Sequence, residues 1–315
     1  MALCGSAMSH HLMQDTGRTI RDIVDCEGKQ LYPAYFSTHL IVPPANLLQQ
    51  FEVWDSVAVG VDVRRFGGMM ATSSYVVGRP GEVTAESMAA GRAGHLPSMT
   101  AGTLFIVDEN RSDARPGTPK AGILAEMPSI TKPPECVALY AKAQSVGGDL
   151  RSFSANLRPR GPHEHLLRVD QDTAVNHAVM FATFARLFEQ AERVFLEQLV
   201  PMPMPTVVVD SRHVLERQSY YLRNCYAGET LRFEMLGRFL PAPKEMGLGS
   251  AALLPSAVLE LVIEVFQHSR NALVCVTSVK EVIAIARSNS SALRDVERVL
   301  YHYRDANVAA TETPR

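Results

Sequence analysis

The chain of 315 residues has little excess of either charge, since its 31 basic and 33 acidic side chains give a net charge of −2. A nearly neutral chain without a run rich in lysine and arginine argues against nucleic-acid binding. No uninterrupted stretch reaches the roughly 18 to 20 apolar residues of a membrane span. The N-terminus also lacks a basic region followed by a long hydrophobic block. We therefore expect a cytoplasmic protein that binds neither nucleic acid nor membranes.

Cysteine is scarce, and no C-x-x-C pair occurs, which excludes a disulfide framework or a zinc knuckle. We expect free, mostly buried thiols, with a Cys-Gly pair near the start as the exception; the five are Cys4, Cys26, Cys136, Cys225 and Cys275. Phosphate-binding, dinucleotide-binding and nucleophile-elbow motifs are also missing. His10-His11 lacks an acidic ligand set, and His163-Glu164-His165 looks metal-like but lies in the predicted crossing loop, so we predict no metal.

The clearest element is an amphipathic helix predicted over 176–199, ended by the prolines of 201–205. Its apolar face repeats at spacings of three and four: Met180, Phe184, Leu187, Phe188, Ala191, Phe195 and Leu199. Its polar face holds Arg186, Glu189, Gln190, Glu192, Arg193 and Glu197. The pattern predicts that one face packs against the rest of the protein and the other meets solvent.

Strand-forming runs follow this helix at 207–209, 219–226 and 229–239, and the runs at 258–266 and 272–285 predict a hairpin. The first half repeats the order more faintly, with a helix at 10–24 and strands at 31–42 and 55–66. The segment 55–66 resembles 229–239, since each begins with an acidic residue followed by a hydroxyl residue and ends in Arg-Phe. We predict an α+β fold of two tandem hot-dog halves, 1–150 and 151–315, each a sheet wrapped around a helix.

The segment before the long helix carries the first candidate site residues. Asp172, Asn176 and His177 resemble the Asp-x-Asn-x-His-x-Asn signature of hot-dog thioesterases, although Asp172 stands four residues before Asn176 rather than two. Unpaired N–H groups at a helix N-terminus can polarise a thioester carbonyl. The alternative is that Asn176 only caps the helix and that His177 is a surface residue.

Five other residues complete the candidate site. Tyr35 lies in the polar and aromatic centre of the first strand, beside Phe36 and Thr38, and could act as a general acid or base or as an acyl acceptor. Thr183 matters if its helix face meets a substrate tunnel, and otherwise packs against the preceding turn. Asn224 interrupts a predicted buried strand, so its amide needs a partner, which a ligand carbonyl could provide.

At these residues the chain resembles the bifunctional acyltransferase/decarboxylase family of leinamycin biosynthesis, found in polyketide gene clusters. The matching stretches are Cys4-Gly5, Leu31–Phe36 through Trp54–Val57, Phe181–Ala191 and Tyr221–Asn224. The resemblance implies a double hot-dog fold, decarboxylation of a methylmalonyl thioester and loading of the acyl group onto an acyl carrier protein of a polyketide synthase. Acyl-CoA or a phosphopantetheine thioester is then a substrate, no cofactor is bound tightly, and a homodimer is compatible with the family.

The resemblance also assigns roles, with one departure. The family's catalytic tyrosine falls on Phe36, which cannot accept an acyl group or relay a proton; its serine falls on Thr183, and Asn224 matches. Either a strand bulge brings Tyr35 into the role, or the acyl-tyrosine step is missing. The alternatives are a thioesterase or dehydratase of the same fold, or a non-catalytic module that binds a carrier protein.

Overall fold

The computed structural model describes residues 17, 19, 22–47, 51, 54–107, 115–120, 127–138, 140, 162–172, 181–198, 205–248 and 250–311. Its strands are β1 (Tyr32–Ile41), β2 (Ala58–Phe66), β3 (Met70–Gly78), β4 (Ser98–Val107), β5 (Arg115–Pro116), β6 (Ser129–Ile130), β7 (His163–Leu166), β8 (Arg212–Tyr221), β9 (Thr230–Pro241), β10 (Leu253–Gln267) and β11 (Ala272–Ala286). Its helices are α1 (Ala85–Ala90), α2 (Val169–Asp172), α3 (Phe181–Gln198), α4 (Thr206–Asp210) and α5 (Ser290–Thr311). Among these helices, none is long and apolar enough to cross a membrane.

All of these strands join one sheet in the order β6-β2-β3-β4-β1-β8-β11-β10-β9-β7, with β5 beside β4. The order β2-β3-β4-β1 in one half mirrors β9-β10-β11-β8 in the other. The two halves meet where β1 pairs with β8 in antiparallel register, from Ser37–Tyr220 to Ile41–Glu216. This arrangement confirms the predicted double hot-dog fold. The similar segments 55–66 and 229–239 form β2 and β9, which hold equivalent places.

Helix α3 packs its apolar face against β8–β11, as its spacing predicts. The buried positions include Phe184, Leu187, Phe188, Ala191 and Phe195. The assignment of Glu192 to the solvent side is wrong, because none of its side chain is exposed. Four residues after Phe188, Glu192 lies on the same helix face, where strand partners neutralise its charge.

Those partners form a buried ionic cluster of Glu192, Glu281, Arg212 and Arg217. Arg217 lies 2.7 Å from Glu192, and Arg212 lies 2.9 Å from Glu281 and 3.3 Å from Glu192. Burial and the neighbouring charge of Glu192 raise the pKa of Glu281. Because two acids and two arginines are close together, each charge that is removed from water is balanced by an opposite one. The cluster fixes the helix to β8 and β11.

Glu192→Gln should lower the free energy of unfolding by about 3 kcal/mol, since two buried arginines would then share one carboxylate. Glu189→Gln is the matched control, because Glu189 is exposed on the same helix and forms a 3.8 Å pair with Arg193. Chemical denaturation of both variants measures the difference. Equal stability of the two variants would contradict a structural role for the cluster.

Strand β1 contains a bulge at Phe36. Tyr35 pairs with Thr103 of β4, but Ser37 already pairs with Gly102, so Phe36 has no partner of its own. The ring of Phe36 lies over Gly102, where a methyl group would overlap it. It also contacts the Tyr140 ring, edge to face at 5.1 Å. The bulge therefore depends on a glycine in the neighbouring strand.

Gly102→Ala should lower the free energy of unfolding by about 1–3 kcal/mol, because the new methyl group would displace the Phe36 ring. Gly247→Ala is the control, since no atom lies within 4 Å of the position its methyl group would take. Thermal or denaturant unfolding gives both values. If Phe36→Leu failed to restore part of the stability of Gly102→Ala, overlap with the ring would not be the cause.

The structure also tests the hairpin and the two short strands that the pattern predicts in the second half. The hairpin is confirmed as β10 and β11, joined through Asn271 in the left-handed conformation (φ 49°). The strand predicted at 207–209 is wrong: these valines lie in α4, where the Val208 N–H donates to the Pro205 carbonyl at 2.9 Å. Pro205, with φ −59°, precedes the first turn of this helix, and the helix leads into β8 at Arg212. The strand predicted at 219–226 begins at Arg212 and ends at Tyr221.

The boundary predicted at residue 150 and most of the helix predicted at 10–24 lie outside the described residues. The C-terminal helix α5, which the pattern analysis missed, buries Ala292, Val296 and Val299 in the core of the second half.

Candidate functional site

The two halves meet along a polar strip on the inner side of the sheet, which we call the seam. It consists of Tyr35 and Thr38 of β1, Thr103 of β4, and Ser219 and Tyr221 of β8. Tyr35 packs against the apolar clusters of both halves and so marks where their cores meet. The bulge at Phe36 puts Tyr35 and Thr38 on this same side.

Hydroxyl groups form a chain across the seam. Thr277 of β11 donates to the Gln218 carbonyl at 3.0 Å, so Ser219, 2.7 Å away, donates to Thr277. The Tyr221 hydroxyl lies 3.4 Å from the Thr38 hydroxyl, and Tyr221 follows Ser219 by two residues on the same face of β8. Burial raises the pKa of Tyr221 well above its ordinary value, which keeps its hydroxyl protonated. Because a hydroxyl oxygen has two lone pairs, Thr38 retains at least one for a ligand, whichever of Thr38 and Tyr221 donates.

Thr103 adds a donor that no described group uses. Its side chain is 1% exposed, and its Oγ1 has no hydrogen-bond partner among the described residues. It lies directly across β1–β4 from Tyr35, where side chains of paired residues are about 5 Å apart. A buried hydroxyl without a partner costs free energy unless a ligand satisfies it. The seam thus presents an unused donor beside a tyrosine.

The sequence-predicted residues are distributed unevenly around the seam. Tyr35 and Thr38 belong to it, and Thr183 is buried on α3 next to Phe184, whose ring lies 5.3 Å from that of Tyr221. Asn176 and His177 lie outside the described residues.

Two predicted residues do not face the seam. Phe36 lies over Gly102, on the outer side of the sheet, since Gly102 alternates with the inward Ala101 and Thr103. The expectation of a buried Asn224 amide is wrong: the residue is exposed in the turn after β8. The strand ends at Tyr221, and the chain turns out to solvent before reaching Asn224.

Asp172 is buried and fully engaged before α3. Its Oδ2 accepts from the Arg168 backbone N–H at 2.8 Å and lies 3.1 Å from His165, while Oδ1 pairs with Arg186. Burial opposes its ionisation, but these partners outweigh burial and lower its pKa. Because both oxygens are occupied, Asp172 anchors the chain that enters α3 and is not available as a base.

Metal ligands do not cluster in the part of the chain that the structure describes: no three His, Cys, Asp or Glu side chains group around a common point. His163 and His165, which look metal-like in sequence, have other neighbours. The His163 ring lies 5.7 Å from that of Phe233, and His165 pairs with Asp172.

Thr103, Ser219 and Tyr221 escaped the sequence analysis as site residues. Threonine, serine and tyrosine suit strands in any case, so their spacing carries no separate functional signal. For Tyr221 one cue existed, because it begins one of the stretches that resemble the acyltransferase/decarboxylase family.

Comparisons with known proteins support the fold. A structure from Lactobacillus plantarum, assigned provisionally as an oleoyl thioesterase, matches at a TM-score of 0.50 and 10% identity, covering 90% of this chain and 86% of its own. An acyl-ACP thioesterase from Bacteroides thetaiotaomicron (89% of each chain) and a 12:0-ACP thioesterase from Umbellularia californica (89% and 85%) both match at a TM-score of 0.47 and 13% identity. No protein-family model matches the chain, and no curated protein matches it in sequence. The chain therefore shares the hot-dog fold of the Lactobacillus plantarum structure.

Thr103→Val should raise the free energy of unfolding by about 1 kcal/mol, because valine has nearly the same shape and removes an unsatisfied buried hydroxyl. Thr38→Val is the matched control on the adjacent strand. Its hydroxyl bonds to Tyr221, so the same change should destabilise the protein. Denaturant titration of the two variants measures both effects. A loss of stability in Thr103→Val would mean that its hydroxyl already has a partner.

Proposed function

We propose that this protein is an enzyme that acts on an acyl thioester bound at the seam. In the reaction that we favour, it decarboxylates a malonyl-type thioester and transfers the acyl group to an acyl carrier protein of a polyketide synthase. The single observation that carries the proposal is the unused Thr103 hydroxyl opposite Tyr35. It provides a hydrogen-bond donor where a thioester oxygen can be stabilised.

The chemistry of the seam favours decarboxylation. Decarboxylation of a malonyl thioester needs a dry environment for the carboxylate and donors to the oxygen of the enolate that forms, but no base. The α-carbon of the enolate then takes a proton from a hydroxyl group or from water, which gives the acyl thioester. Thr103 and Tyr35 are donors to the enolate oxygen. The register of β1, β4 and β8 puts hydroxyls and Arg217 on the seam side but no carboxylate. The buried acids Glu192 and Glu281 are held by arginines.

The remaining roles complete the proposal. Amides at the start of the long helix, with Asn176 and His177, hold the thioester carbonyl, and Thr183 and Thr38 contact the acyl group or the pantetheine arm. We assign no chemical step to Phe36 or Asn224. The acyl group passes to the thiol of a carrier protein, and hydrolysis would result if water reached the same site. CoA and phosphopantetheine enter as parts of the substrate.

The test is to incubate the protein with malonyl- or methylmalonyl-CoA and a holo carrier protein, and to follow both by intact-mass spectrometry. We expect a decarboxylated acyl group on the carrier. Free acid with free CoA would indicate a thioesterase instead, and loss of water from a carrier-bound 3-hydroxyacyl chain would indicate a dehydratase. Unchanged thioesters with a bound carrier would indicate a binding module.

Tyr35→Phe and Thr103→Val should each lower kcat by about 100-fold, the usual effect of removing one donor to a developing oxyanion. Thr103→Ser, which keeps the hydroxyl, should retain most of the activity. Tyr32→Phe is the control for Tyr35, since Tyr32 lies three residues earlier on β1 and its hydroxyl is 3.5 Å from Gln30. If Tyr32→Phe were as impaired as Tyr35→Phe, the seam would not be the reaction site.

A further inference from the structure

Four side chains of the first half form a row across the inner side of the sheet. Strand pairing puts neighbours in the row opposite one another, in the order Tyr35 (β1), Thr103 (β4), Ala71 (β3) and Arg65 (β2). Val63 of β2 packs in the inner core, so the alternation of side chains puts Arg65 on the same side. The row therefore leads from the seam to an arginine.

Arg65 is a half-buried base whose charge has no described counter-ion. Its Nε is buried and has no hydrogen-bond partner among the described residues. No described acid forms an ion pair with Arg65, whereas the preceding Arg64, on the outer side, is bound by Asp62 at 2.8 Å. A charged donor that is removed from water costs free energy unless an acceptor satisfies it. A bound anion would provide that acceptor.

The corresponding row of the second half contains no arginine. Strand β8 has a bulge at Leu215, where its register with β11 shifts, just as β1 has a bulge at Phe36. Counted from this bulge, the row of the second half consists of Val214, Glu281, Leu259 and Phe239. Leu259 and Phe239, which take the places of Ala71 and Arg65, are buried in the core.

The two similar segments of the sequence give the same correspondence. The offset that aligns Asp55 with Glu229 also aligns Arg65 with Phe239. The second half thus fills this end of the row with apolar side chains, as an ordinary core requires. The first half has a positive charge there, next to a residue as small as alanine. Core packing does not explain this difference.

The separation of Arg65 and Thr103 suits a short acyl group that ends in an acid. The two residues lie two strands apart, about 10 Å between their backbones, and an arginine side chain can cover a large part of that distance. In a malonyl thioester, a single carbon atom separates the carboxylate from the thioester carbonyl. A malonyl group whose thioester oxygen binds Thr103 therefore brings its carboxylate within reach of the guanidinium, which binds carboxylates through two parallel N–H donors.

We infer that Arg65 binds the carboxylate of the substrate while Thr103 binds its thioester oxygen, so that the site selects thioesters of short dicarboxylic acids. The inference rests on the proposed function, because it takes the seam as the thioester site. It deepens that proposal by naming the residue that distinguishes a malonyl group from a simple acyl group.

Arg65 contributes to the reaction by binding and orienting the substrate. Its guanidinium replaces the water around the carboxylate with fixed donors and sets the plane of that group. The bond between the carboxylate carbon and the α-carbon then breaks, and carbon dioxide leaves. The electron pair of that bond moves into the enolate, whose oxygen is held by Thr103, and the α-carbon takes a proton from a hydroxyl group or from water.

The test measures the affinity of two CoA analogues in which an amide replaces the thioester, one with a malonyl and one with a propionyl group. Because the amide resists acyl transfer, calorimetry reports binding without turnover. We expect the malonyl analogue to bind about 10- to 100-fold more tightly, the usual effect of a hydrogen bond to a charged group. Arg65→Met should remove this preference and leave the affinity for the propionyl analogue unchanged. Equal affinities in the wild-type protein would overturn the inference.

Arg64→Met is the matched control, because Arg64 is exposed on the other side of the same strand. It should keep the full preference for the malonyl analogue, and a loss as large as in Arg65→Met would make general charge, not Arg65, the cause. Arg65→Lys keeps the charge without the paired donors and should show a reduced preference. If Arg65→Met did not fold, an unchanged preference in Arg65→Lys would still contradict the inference.

The phosphates of CoA are another anion that an arginine can bind. Pantetheine amides that carry the same two acyl groups but no phosphate separate the two sources. We expect the preference for the malonyl group, and its dependence on Arg65, to persist in these smaller ligands. If Arg65→Met weakened both CoA analogues equally and changed neither pantetheine analogue, Arg65 would bind a phosphate and the inference would be wrong.

The outcomes separate this inference from the proposed function. A malonyl preference that depends on Arg65, with malonyl-CoA left intact by the protein, would support the inference and overturn the decarboxylation proposal. Decarboxylation of malonyl-CoA by Arg65→Met with an unchanged KM would do the reverse. If the wild-type protein bound neither analogue, both proposals would fail.

Discussion

The pairing of β1 with β8 is the interaction on which the rest of the structure depends. It joins two sheets into one and brings the cores of both halves together at Tyr35. Because side chains alternate along a strand, the same pairing creates two different surfaces. The inner surface carries the hydroxyls of the seam, and the outer surface carries Ser37, His39 and Tyr220. The candidate site therefore lies where the halves meet.

The bulge at Phe36 decides which residue faces which surface. In a regular strand Tyr35 would lie on the same side as Ser37 and His39, away from the seam. One extra residue instead places Tyr35 beside Thr38 and turns Phe36 outward onto Gly102. The bulge therefore brings a tyrosine, the neighbour of Phe36, to the inner side of the sheet; that Tyr35 takes a catalytic role there stays a prediction.

Local patterns predicted the main elements and the architecture, but not the helices α4 and α5. The spacing of apolar residues predicted α3, alternating runs predicted the closing hairpin, and a repeated order of elements predicted two hot-dog halves. The seam needed more than local pattern, because its partners are distant in sequence: Tyr221 bonds to Thr38, 183 positions away. Glu192 illustrates the same limit. A charged side chain on a helix is expected to face solvent, and the pattern does not show that Arg212 and Arg217 of β8 bind this one inside the protein.

The unused hydroxyl of the seam costs stability in the free protein. At Thr103 a valine would fill the same space without leaving a buried hydroxyl unsatisfied, at a saving of about 1 kcal/mol. Core packing therefore does not explain a threonine at this position, whereas a ligand oxygen would satisfy its hydroxyl. The residue that weakens the free protein is the one that we expect to bind the substrate.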